Sequence, residues 1–75
     1  MGKYKKKVVA VRMLRRREVE ARTGLARSTI YDWIRSGHFP RPISLGSRAV
    51  RWQEHDIEQW IADQVAHEVQ LRGGA

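Results

Sequence analysis

A chain of 75 residues has room for one domain and one modest core. With no cysteine it can hold neither a disulfide framework nor a thiolate zinc site, and no apolar run approaches the ~20 residues of a membrane span. The formal net charge of +7 suits a polyanionic partner, because lysines and arginines on phosphates release condensed counterions.

Residues 1–11 carry Lys5-Lys6-Lys7 and little that anchors a core, and read as a flexible basic arm. Their apolar stretch, residues 8–11, is too short for the core of a signal peptide, so the chain is expected to be soluble and cytoplasmic. The domain proper is expected over residues 12–72. The first helix is expected over Arg16–Thr23, with Val19 turned inward and Leu14 packing just ahead of it. Gly24 ends it, since glycine adopts the left-handed conformation at little cost.

A second helix is expected over residues 27–36, with Gly37 past its end. Ile30, Trp33 and Ile34 fall on one face at helical spacing, and Ser28, Tyr31, Asp32 and Arg35 on the other. Only Gly24-Leu25-Ala26 separates the two helices, which is the signature of a helix-turn-helix. Pro40 and Pro42 force extended chain. Two alternating runs then flank Gly46-Ser47, over residues 43–45 and 48–52, and predict a β-hairpin, or wing.

The last helix is expected to start near Glu54 and continue to Leu71. Glu54, Asp56 and Glu58 in its first turn favour a helix N-terminus. Ile57, Trp60 and Ile61 form its core stripe, while Val65 and Val69 drift off that stripe as a small ridge that two copies of the chain could share. Residues 73–75, Gly-Gly-Ala, read as a disordered tail. The fold class is therefore mainly α with a small β-hairpin, a winged helix-turn-helix.

Charge is polarised along the chain. No acid precedes Glu18, whereas Glu54, Asp56, Glu58, Asp63 and Glu68 crowd the last helix. A molecule with a basic front and an acidic back orients on DNA. The residues expected at such an interface are Arg27, Ser28 and Thr29 at the start of the second helix, Tyr31 and Arg35 further along it, Arg48 and Arg51 on the wing, and Arg16 and Arg17 at the start of the first helix. For Thr29 the alternative is a place against the first helix. For Tyr31 it is a cover over the core edge, and for Arg35 a solvated helix end. Trp33, Trp52, Trp60 and Phe39 read as core rather than base-stacking platforms. His38, His55 and His67 match no zinc spacing, and no nucleophile elbow or phosphate loop is present in the sequence, so neither an enzyme nor a cofactor is expected.

From Leu14 to about Asp63 the sequence resembles the AlpA family of phage and prophage regulators, relatives of excisionases and of MerR-type domains. The residues that carry this are Glu18-Val19, Thr23-Gly24-Leu25 and Arg27-Ser28-Thr29-Ile30-Tyr31. They continue with Gly37, Phe39, Pro40 and Pro42, then Leu45-Gly46, Arg48-Ala49-Val50, Trp52 and Trp60. The resemblance implies a transcriptional regulator of prokaryotic or phage origin that binds double-stranded DNA with the second helix in the major groove. It also implies an alternative, an excisionase-like factor that bends DNA for an integrase. RNA polymerase, an integrase or a second copy of the chain would then be its protein partner. Two positions depart from the family: Ala26 stands where serine usually caps the recognition helix, and Asp32 where a basic residue is common. Ser28 is the alternative cap, and Asp32 either reads a cytosine amino group or points away from the duplex.

Overall fold

The computed structural model describes residues 12–72. The arm expected over 1–11 and the tail expected over 73–75 lie outside the described residues. In chain order the elements are β1 (Met13–Leu14), α1 (Arg16–Thr23), α2 (Arg27–Arg35), β2 (Ile43–Ser44), β3 (Val50–Gln53) and α3 (Glu54–Leu71). The three helices pack with one antiparallel sheet of strand order β1-β3-β2. This is the arrangement of a small winged-helix-like domain, with α1 and α2 as the helix-turn-helix and β2–β3 as the wing.

Local chemistry explains the helix ends. At the start of α1 the Glu18 carboxylate reaches back and accepts the backbone N–H of Arg15 at 2.8 Å. At its end Gly24 takes φ +75 and donates its N–H to the Glu20 carbonyl at 2.7 Å. The Thr23 hydroxyl donates to the Val19 carbonyl and accepts the N–H of Leu25 at 3.2 Å, which sets the tight turn into α2. Helix α2 stops at Arg35, one residue earlier than expected, with Ser36 as its C-cap.

Leu14, Val19, Ile30, Phe39, Trp52 and Ile57 form the buried core, one side chain each from β1, α1, α2, the segment before β2, β3 and α3. Leu25, Tyr31, Ile34, Trp60 and Ile61 close its rim. Two indoles pin the segment between α2 and the wing: Trp52 Nε1–H donates to the Pro40 carbonyl at 3.0 Å, and Trp60 Nε1–H to the His38 carbonyl at 2.9 Å. Both tryptophans thus bury ring area while keeping their one polar group satisfied.

Three sequence expectations need correction. Trp33 is not core: it is 37% exposed and lies on the surface beside Trp60, ring centroids 6.2 Å apart. The core accepts one side chain of α2 completely, Ile30, and the bulky neighbour three residues on is pushed to the edge. The wing turn is wider than Gly46-Ser47, because the Leu45 N–H bonds the Ala49 carbonyl at 2.7 Å. Arg48 therefore lies in the bend rather than in β3. Finally, β1 was not expected at all. It places Leu14 opposite Trp52 and Met13 opposite Gln53, turning the hairpin into a three-stranded sheet.

Candidate nucleic-acid interface

Helix α2 is held by Ile30, and its first turn is left open to solvent. Arg27 and Ser28 are exposed, and Thr29 is half-buried. Ala26 occupies the N-cap with extended backbone and no capping hydrogen bond, and the first turn holds no acid. Ile30 N–H is already bonded to the Ala26 carbonyl. The N–H groups of Arg27, Ser28 and Thr29 precede the first such bond and point out of the helix end, where the dipole favours an anion. Among the described hydrogen bonds Ser28 makes none, so its hydroxyl does not replace the missing cap.

Further along α2 the expected residues separate. Tyr31 is half-buried with its ring edge-on to Trp52 at 6.4 Å, so its body covers the core. Arg35 and Asp32 are both exposed and form an ion pair with each other. Asp32 thus has a cation of its own, and part of the charge of Arg35 is neutralised locally.

A second basic surface lies where β1 meets α1. Arg15, Arg16, Arg17 and Arg51 line one shallow cleft. The sheet register produces it: Leu14 opposite Trp52 puts the next residue, Arg15, beside Arg51. Within the cleft Arg16 is partly committed to Glu20 at 2.9 Å, and Arg51 donates to the Val50 carbonyl at 2.8 Å. Arg17 is exposed without an ion-pair partner among the described residues. Arg15 was missing from the expected set, because its neighbour across the sheet is visible only once β1 is known to pair with β3.

Arg48 is exposed at the wing bend. From Gly37 to Gln53 the chain contains no Asp or Glu, so Arg41, Arg48 and Arg51 meet no acid within this stretch. Arg22, by contrast, belongs to the scaffold. Its guanidinium ties α1 to α3 through Glu54 at 2.6 Å and Glu58 at 3.6 Å. The hydrogen bond to Glu54 raises its pKa, slight desolvation opposes this, and the charges of Glu54, Glu58 and Glu18 add to the rise. Glu54 and Glu58 of α3 are thus engaged with α1.

Among the described residues no cluster of His, Asp or Glu is fit to hold a metal ion, and no helix is long and apolar enough to cross a membrane.

The family model of the prophage CP4-57 regulatory protein (AlpA) matches residues 12–65. Among curated proteins, the chain is 46% identical over 55 residues to the uncharacterized protein ORF88 of Enterobacteria phage P4, covering 73% of this chain and 62% of that protein. It is 41% identical over 59 residues to the DNA-binding transcriptional activator AlpA of Escherichia coli K12, covering 71% of this chain and 84% of that one. The chain thus spans somewhat under two thirds of the phage P4 relative. No solved structure gives a significant match. The matched segment begins in β1's approach and ends within α3, so it takes in the helix-turn-helix, the wing and the whole buried core. The chain belongs to the AlpA family of prophage regulatory proteins.

Proposed function

We propose that this protein binds double-stranded DNA and regulates transcription, with α2 in the major groove and the wing on the adjacent backbone. The observation that carries this reading is the first turn of α2: Arg27 and Ser28 stand exposed at a helix start with neither a cap nor an acid. An α-helix fits a major groove about 12 Å wide, and its N-terminal residues meet base edges or phosphates. Arg27 is the base reader, by the bidentate contact that arginine makes with guanine. Ser28 and the free N–H groups hold a phosphate. Arg48 and the cleft of Arg15, Arg17 and Arg51 take phosphates on either side. Arg16, Thr29 and Arg35 support this surface at its edges, and Tyr31 positions α2 through Trp52. The E. coli relative, a DNA-binding transcriptional activator, supports the same reading.

Selection of bound sites from a random duplex library, using the full chain, tests it. A recovered motif supports the reading, and failure to retain any duplex at low salt overturns it. On the selected site, Arg27→Ala is expected to relax preference at one position at a cost of about 1–3 kcal/mol. Arg48→Ala weakens all sequences alike and lowers the slope of log affinity against log salt by about 0.9. Both variants keep the wild-type Tm, since neither side chain is buried.

A further inference from the structure

Helix α3 is longer than the core beneath it. Ile57 is buried and Trp60 and Ile61 close the rim, but every residue from Ala62 to Leu71 is exposed. Val65, Val69 and Leu71 stand 57%, 56% and 66% exposed on this overhang. A short helical stretch without packing is marginal in water, so an apolar face on it calls for a cover.

Two observations select that cover. The first is position. Glu54, Glu58, Ala62, Val65 and Val69 follow one another at three- or four-residue steps and form one stripe along α3. The stripe starts at Glu54, whose N–H donates to the Arg12 carbonyl at 2.8 Å. Residues 1–11 therefore join the domain at the head of this stripe. Extended chain advances about 3.3 Å per residue and a helix about 1.5 Å, so the reach from Arg12 back to Tyr4, about 26 Å, matches the length of α3 from Glu54 to Leu71.

The second is composition. From Glu54 to Leu71 the helix has five acids and neither lysine nor arginine. Residues 1–11 have Lys3, Lys5, Lys6 and Lys7, no acid, and an apolar run over 8–11. A second copy of α3 laid on the first sets acids against acids, whereas this segment brings the opposite charge. Lysine stems cover apolar surface while their ammonium groups reach carboxylates beside it. Glu58 and Glu68 flank the two valines. Glu68 already meets Arg72 at 3.2 Å, but that exposed pair is weak enough to share its carboxylate. The covalent tether makes the contact intramolecular, which raises the effective concentration of the segment at the stripe.

We infer that residues 1–11 fold back along α3, the apolar run and Tyr4 lying over the Val65 and Val69 stripe and the lysines on Glu58 and Glu68. The contact is a latch that duplex DNA opens, because phosphates compete for the same lysines. The opening rests on the DNA-binding reading above; the contact itself does not.

A nitroxide on Gly2→Cys in the full chain, which has no other cysteine, reads the contact by NMR. At low salt the amide signals of Ala62–Leu71 are expected to lose most of their intensity while those of α2 keep theirs, and the loss should lessen as salt rises. Val65→Ser with Val69→Ser, which alters only exposed side chains, should restore the signals. Undiminished signals over Ala62–Leu71 in the free labelled chain overturn the inference. So does broadening that appears in unlabelled, isotope-enriched chain mixed with the labelled one, which assigns the stripe to a second copy. Adding the selected duplex should return the lost intensity, and broadening that persists on the bound protein overturns the opening. Protein that binds no duplex removes the DNA-binding reading and the opening with it, whereas loss of the contact in free protein removes the latch alone.

Discussion

Helices α1 and α2 are almost the same length, 8 and 9 residues, and each fixes itself with a single buried side chain, Val19 in one and Ile30 in the other. Their starts are opposite. Helix α1 brings its own anion, Glu18, which bonds the Arg15 N–H at 2.8 Å. Helix α3 also carries acids in its first turn, Glu54 and Asp56, though no side chain caps its N-terminus. Helix α2 has Ala26 at the cap, no acid in its first turn and Arg27 at its first position. A helix start without a carboxylate leaves its N–H groups to water or to a ligand. The contrast separates a helix end that is finished by the fold from one finished by something outside it, and it puts the second kind on the element proposed to enter DNA.

The largest expected effect equalises the two helices by unseating one. Ile30→Ala removes the sole fully buried side chain of α2 and should cost 2–5 kcal/mol, about the range for large-to-small core changes. Chemical denaturation reads this directly, and a loss below about 1 kcal/mol would mean that α2 is held by other contacts. A smaller effect is expected when α2 is given the anion it lacks. Ala26→Asp adds a capping carboxylate and should stabilise the domain by about 1 kcal/mol. The same charge occupies the place of a phosphate, so affinity for the selected duplex should fall although Tm rises. Opposite signs in the two measurements would confirm the contrast; a rise in both would break it. The smallest effect belongs to α1. Glu18→Gln keeps a hydrogen-bonding group at the helix start but removes the charge, and should lower stability by only about 0.5 kcal/mol, with no loss of DNA affinity.

The helix ends were legible in the sequence because they are marked by chemistry that acts locally. Gly24 and Gly37 punctuate α1 and α2, and Glu54 and Asp56 announce α3, so residues 16–23 and the span from Glu54 to Leu71 are found where the sequence places them. Longer-range features were not legible. Two residues, Met13 and Leu14, are too few to show a period, and their strand exists only because β3 lies alongside. Alternation along residues 43–45 shows that two faces exist but not which one meets Trp52; the register with β3 decides that, and it turns Ile43 and Leu45 outward. A helical stripe of Ile30, Trp33 and Ile34 is wider than the space beneath α2, so Trp33 ends on the surface. The candidate interface divides along the same line. Arg27, Ser28 and Arg48 are exposed as their positions imply, whereas the cleft of Arg15 with Arg51 requires the unforeseen strand.

That strand also bears on how the chain reaches its folded state. Pairing Leu14 with Trp52 closes a loop of 38 residues, from 52 − 14, and α1, α2 and β2 all lie inside it. The length-dependent part of the entropy cost of such a closure is about 3 kcal/mol, and it must be met before the long-range contacts of Trp52 return anything. Helix contacts within the loop are local, whereas β1–β3 pairing and the packing of Trp52 on Leu14 both depend on closing it. A nascent chain that has emerged only as far as the wing bend has no sheet, because β1 and β2 pair only with β3, and its two helices are too short to persist alone, with Leu14 and Ile30 still lacking the indole that packs with them. The domain becomes a cooperative unit only when β3 is available, so the proposed DNA-reading helix acquires its fixed orientation from a tryptophan that follows it by more than a dozen residues in the chain.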